Sequence, residues 1–171
     1  SVVYSYRSAL VDQTERALWS VKNVMDCIPD TLWERPYCGM PLWKHLYHML
    51  HSLDQWFINP EVYTDPPFHL PGLNDLDTPS PTPLSRQTLE DYFGTVANKI
   101  RGYLASLREE DLLCCPPHSG DSRFLLILAQ HRHLHTHLGV LMGFIIAETG
   151  KWPRVLGLRD AFPTQTYDPF F

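Results

Sequence analysis

Residues 41–57 read Pro41-Leu42-Trp43-Lys44-His45-Leu46-Tyr47-His48-Met49-Leu50-His51-Ser52-Leu53-Asp54-Gln55-Trp56-Phe57. Leucines at 42, 46, 50 and 53, continued by Phe57, fall at steps of three and four, which is one face of an α-helix. Pro41 suits the first helical position, where its missing amide hydrogen costs nothing, and Pro60 closes the run. The spacing predicts a helix from Pro41 to about Phe57 that carries three histidines, His45, His48 and His51.

The same periodicity recurs on both sides. Upstream, Val11, Leu18, Val21, Met25 and Ile28 predict a helix over about 6–28, stopped by Pro29 and Asp30. Downstream, Leu89, Phe93, Val96, Ile100, Leu104 and Leu107 predict one over about 86–107 with Ser85 as N-cap. A last helix starts near Asp121 or Ser122 and stops at Gly150, with Pro153 just beyond. No run alternates over six or more residues between turn signals, so no strand is expected. Four amphipathic helices sharing one core predict an all-α four-helix bundle.

The connections refine this picture. Residues 59–85 hold seven of the fifteen prolines and predict a long crossover loop between helices 2 and 3, carrying the chain from one end of the bundle to the other so that these two helices run parallel. Residues 108–120 form a shorter loop with a helical turn near 109–113. The whole chain, 1–171, is expected to be one domain: a bundle over about 6–150 and an aromatic tail over 151–171. That tail should pack on the bundle, on a second subunit in a homodimer, or over a pocket. Gly139 and Gly143, four apart, suggest close approach of a neighbouring helix.

Composition excludes several classes. The net charge is -5 and the pI about 5.9, with basic residues scattered rather than clustered. Neither nucleic acid nor a membrane surface is therefore an expected partner. No apolar run approaches the roughly 20 residues that cross a bilayer, and a cytoplasmic protein is the simple expectation. The four cysteines show no CxxC spacing and predict reduced, mostly buried thiols.

Nine histidines are present, seven of them in two short segments. Residues 130–139 read Gln130-His131-Arg132-His133-Leu134-His135-Thr136-His137-Leu138-Gly139. Histidines four apart sit one turn above each other, so either His131 with His135 or His133 with His137 can clamp a metal from one side. Both lines have apolar members, and the helical wheel leaves the two pairs equal. A third ligand must come from elsewhere, and helix 2 offers His45, His48 and His51. Three neutral imidazoles suit zinc, nickel or iron and leave coordination positions open, the layout of a catalytic rather than a structural site. The HExxH protease pattern is absent, since Leu134, His135 and Thr136 fill the gap between His133 and His137.

The tryptophan-led segment Leu42-Trp43-Lys44-His45-Leu46-Tyr47-His48-Met49-Leu50, followed far downstream by His133-xxx-His137-Leu138-Gly139, resembles the DinB-like family of metal-binding helical bundles, which includes the YfiT-type hydrolases and thiol-dependent S-transferases. The resemblance runs from helix 1 to Gly150. It implies His48, His133 and His137 as metal ligands, His133 and His137 being selected by the Gly139 that follows. Val140 stands where that family usually has glutamine, and His48 falls off the leucine stripe, beside Lys44, His51 and Gln55.

The resemblance implies a metal-dependent enzyme, a hydrolase or thiol-dependent transferase. Its divalent ion, zinc or nickel first and iron next, would act on a small molecule such as a low-molecular-weight thiol. The alternative is a non-catalytic metal- or small-ligand-binding module. Asp54 and Glu148 are acid–base candidates only if the fold brings them to the metal, and Cys114 and Cys115 lie in a loop with no nearby group to lower a thiol pKa.

Overall fold

A computed structural model describes residues 5–171. Four α-helices dominate it: α1 (Tyr6–Asp26), α2 (Leu42–Trp56), α3 (Arg86–Ser106) and α4 (Arg123–Thr149). Local chemistry sets their ends. Ser5 and Ser8 exchange side-chain-to-backbone bonds in a capping box before α1, and the hydroxyls of Ser85 and Ser122 accept the amides of Thr88 and Leu125. Gly150 ends α4 at φ 70°, a left-handed cap that glycine adopts without strain. Arg86 adds side-chain donors just past α1, to Met25 O at 3.1 Å, which also accepts the Ile28 amide, and to Ile28 O at 2.6 Å.

Each helix packs on two others: α2 on α3 and α4, and α1 on α3 and α4. Leu18 and Val21 of α1, Leu46 and Leu50 of α2, Leu89 and Ile100 of α3, and Leu141 and Ile145 of α4 are among the core residues between them. Trp33, just before α2, donates its indole N–H to Leu84 O just before α3, and Phe57 at the far end of α2 meets Tyr103 near the far end of α3, ring centroids 6.4 Å apart. Among the described residues, no helix is long and apolar enough to cross a membrane.

Two local expectations are corrected. A short antiparallel ribbon, β1 (Pro36–Tyr37) and β2 (Met40–Pro41), precedes α2. Its turn residues Cys38 and Gly39 have φ 52° and 85°, the paired left-handed conformations of a tight hairpin. Strands of two residues are too short to show alternation. Pro41, paired across the ribbon with Pro36, is extended (ψ 151°) and caps α2 instead of starting it.

The helix α2 is covered on nearly all sides: 11 of its 15 residues are buried, including Lys44, His45, His51 and Asp54. The cover is the 59–85 segment, which forms no helix or strand and lies along the face opposite the leucines. Its attachments repeat at helical spacing. Lys44 donates to Gly72 O at 2.8 Å and Ser80 Oγ at 2.6 Å, His48 Nδ1 meets Asn74 O at 2.8 Å, His51 Nε2 meets Asp65 at 2.8 Å, and Tyr63 donates to Asp54 at 3.0 Å. Polar residues that face solvent on an ordinary amphipathic helix here hold a strap.

The tail folds back along α1. Asn23 donates to Arg154 O and Pro169 O, Arg16 to Gly157 O and Asp160 O, and Tyr167 packs on Trp19 with centroids 5.3 Å apart. Of the four cysteines, all free, only Cys27 is buried, beneath this tail. Burial, then Asp26 and Asp168, push its pKa up to about 11. Cys38, Cys114 and Cys115 are exposed because they lie in turns and loops, against the expectation of mostly buried thiols. Among the described residues, no atom of another element comes within 4 Å of where a Cβ would stand at Gly139 or Gly143, so neither marks a close helix approach.

Candidate metal centre

His133 and His137 lie one turn apart on α4 with ring centroids 4.5 Å apart. From α2, His48 enters between them and the strap, its ring 4.4 Å from that of His137 and 5.5 Å from that of His133. One ligating atom from each of the three lies within 4.8 Å of the other two, and all three side chains are half-buried. The Nε2 atoms of His48 and His137 are 3.2 Å apart. Nitrogens sharing a tetrahedral ion at 2.0–2.1 Å stand about 3.3 Å apart, so this spacing is one a metal accepts.

The protonation pattern also fits. A carbonyl oxygen only accepts, so the contact with Asn74 O places the proton of neutral His48 on Nδ1 and leaves Nε2 as a lone pair facing His137. Without a cation, a proton shared between the two Nε2 atoms keeps their lone pairs from facing each other; with one, both lone pairs point at it. Nδ1 of His133 is buried and has no hydrogen-bond partner among the described residues. Burial first, and then the neighbouring His48 and His133, push the pKa of His137 down to about 4. Burial, His48 and Arg132 likewise lower that of His133. At neutral pH these two imidazoles are therefore uncharged, as metal binding requires. The donor set is nitrogen only, with no carboxylate in the group, which suits zinc, nickel or iron better than magnesium or calcium.

His45, His131 and His135 are engaged elsewhere. His45 Nε2 meets Tyr37 O at 2.7 Å and its ring stands edge-on to Phe144. His131 Nε2 meets the Thr14 hydroxyl of α1 at 2.9 Å, and His135 Nδ1 donates to His131 O at 2.7 Å. This pair lines a separate cleft of about 250 Å³ between α1, α4 and the tail, with Arg16, Ser20 and Gly139. Of the two pairs that the wheel left equal, His133 and His137 are the one that meets helix 2.

Neither carboxylate candidate reaches the centre. Asp54 accepts from Lys99 at 2.6 Å, Tyr92 at 2.8 Å and Tyr63 at 3.0 Å where α2 meets α3. Glu148 pairs with Arg35 at 2.6 Å and accepts from Tyr37 at 3.2 Å on the surface. Sequence reasoning missed a second cluster, His51 with Asp65 and His69. Its only sequence signal was the His51 already noted, because Asp65 and His69 lie in a proline-rich loop whose path no periodicity predicts. Compared with family models, with curated proteins and with solved structures, the chain has no match in any of the three.

Proposed function

We propose that His48, His133 and His137 hold one divalent ion in an open three-histidine site, and that the protein is a DinB-like four-helix bundle acting on a small molecule as a hydrolase or thiol-dependent transferase. The observation that carries this reading is the meeting of three imidazoles from α2 and α4 within 4.8 Å, with no fourth ligand in the group among the described residues. The contacts of Trp33 with Leu84 and of Phe57 with Tyr103, at matching ends of α2 and α3, support parallel helices and thus a crossover role for residues 59–85.

His48, His133 and His137 would hold a zinc or nickel ion, whose Lewis acidity would favour the nucleophilic form of a water or a small thiol near neutral pH. The chain's own residues do the rest. Asn74 fixes the tautomer and orientation of His48 through its carbonyl. The strap, anchored on Lys44, His48, His51 and Asp54, limits solvent on that side of α2. No carboxylate belongs to the triad.

The test is elemental analysis of protein purified without a histidine tag, with His133→Ala and His137→Ala alongside His131→Ala and His135→Ala. The first pair loses the ion at this centre and keeps its helical circular dichroism, and the second pair keeps the ion. A metal content below wild type in the second pair, or equal to wild type in the first, overturns the assignment. Thermal-shift screening of the loaded protein with small thiols and electrophiles then addresses the reaction, and a shift that vanishes in His137→Ala supports chemistry at this site.

A further inference from the structure

We propose that His51, Asp65 and His69 form a second divalent-metal site, distinct from the three-histidine centre and opening onto the groove between the strap and α3. The proposal stands whether or not the first centre is catalytic.

The geometry begins with α2. His51, one turn beyond His48, has only 4% of its side chain exposed and points under the strap. Its ring stacks on that of His69, with centroids 4.7 Å apart and planes 19° apart. Asp65 spans the two: one carboxylate oxygen lies 2.8 Å from His51 Nε2 and the other 3.9 Å from His69 Nε2. One ligating atom of each residue lies within 4.8 Å of the others.

A closed hydrogen-bonded cluster explains these contacts only in part. His51 Nδ1 is buried with no partner among the described residues, so Nε2, the nitrogen facing Asp65, is the one engaged atom of this ring. The His69–Asp65 separation of 3.9 Å is too long for a hydrogen bond. Two imidazoles and one carboxylate, by contrast, are the donor set of an open site for zinc or iron(II).

The surroundings supply what such a site needs. The Tyr47 hydroxyl lies 2.7 Å from His69 Nδ1, so that nitrogen is occupied and Nε2 is left to face Asp65, the arrangement by which an outer hydrogen bond orients a ligating histidine. The Asp65 side chain is half exposed, which gives an ion a way in. Asp65 and Phe68 also line a groove of about 470 Å³ with Asp54, Tyr92 and Lys99, so open coordination positions would face water and a small ligand there. Its carboxylate distinguishes this site from the all-imidazole centre.

The test is zinc titration of the 171-residue chain by calorimetry, with elemental analysis after dialysis. Wild type is expected to retain two ions, and Asp65→Asn and His69→Gln one each. His137→Ala is expected to keep one ion, and His137→Ala combined with Asp65→Asn none. X-ray absorption on zinc-loaded His137→Ala then gives nitrogen and oxygen neighbours. Unchanged stoichiometry in both Asp65→Asn and His69→Gln overturns the proposal, as does a sulfur neighbour, which would place the ion on the exposed cysteines. Asp65 is half exposed on a loop, so loss of the ion with unchanged circular dichroism reports ligation rather than unfolding. Because the Asp65 and His137 variants are read separately, failure of one centre is not mistaken for failure of the other.

Discussion

His48 Nδ1 lies 2.8 Å from the carbonyl oxygen of Asn74, and this contact sets which ring nitrogen of His48 faces α4. While the ring is neutral, a backbone carbonyl holds it in one tautomer, so the lone pair on Nε2 is directed at His137, 3.2 Å away. Long-range nitrogen–proton correlation spectra should therefore find His48 in the Nδ1–H form before and after zinc is added, with only the Nε2 resonance moving. An Nε2–H form in the metal-free protein would contradict this.

Acid should weaken the metal-free fold in a defined window. His131 is held down to about 4 by burial and then by His135, and His137 is held to a similar value. In the unfolded chain both titrate near 6.5. Between those values the unfolded chain binds more protons, so stability rises with pH across the window and is lost as pH falls from 6.5 towards 4. The thermal midpoint of the metal-free protein is expected to fall over this range. His131→Gln, which keeps a group able to bond Thr14, should make that fall shallower, and equal slopes would refute the role of His131.

Lys44 is a fully buried cation, and its ammonium bonds to Gly72 O and Ser80 Oγ with no carboxylate within 4 Å among the described residues. Burial lowers its pKa, an effect opposed by Asp75 and Asp77. Lys44→Ala removes the buried stem and leaves two acceptors of the strap unmatched, which should cost about 2–4 kcal/mol. Urea unfolding gives the loss, and limited proteolysis should cut faster within residues 59–85. An unchanged cleavage rate would mean that Lys44 does not hold the strap.

Gly139 sits inside α4 with open space where a Cβ would stand. Gly139→Ala should therefore raise stability by about 0.5–1 kcal/mol through helix propensity alone. A loss of stability would restore the close helix approach that the spacing with Gly143 first suggested.

Much of the helical framework was legible because its signals are local. Ser85, Ser122 and Gly150 cap where their chemistry dictates, and the leucine stripe of α2 is buried as its spacing requires. The ribbon at residues 36–41 escaped because a two-residue strand has no period. His48 looked misplaced for a different reason: a helical wheel assumes one buried face, whereas α2 has a second, under the strap. That cover depends on where 27 loop residues, 59–85, happen to lie, which is tertiary information. The same holds for Asp65 and His69. The choice between the two histidine pairs of α4 needed a neighbouring helix to decide it, since both pairs carry apolar companions and one turns to α1 while the other turns to α2.

The most direct measurement is an anomalous difference map from crystals soaked in zinc or nickel. The account predicts a peak within bonding distance of ring nitrogens of His48, His133 and His137, with further positions around it filled by solvent. Those three rings turned apart with no peak between them, even if ions appear elsewhere in the crystal, would contradict it.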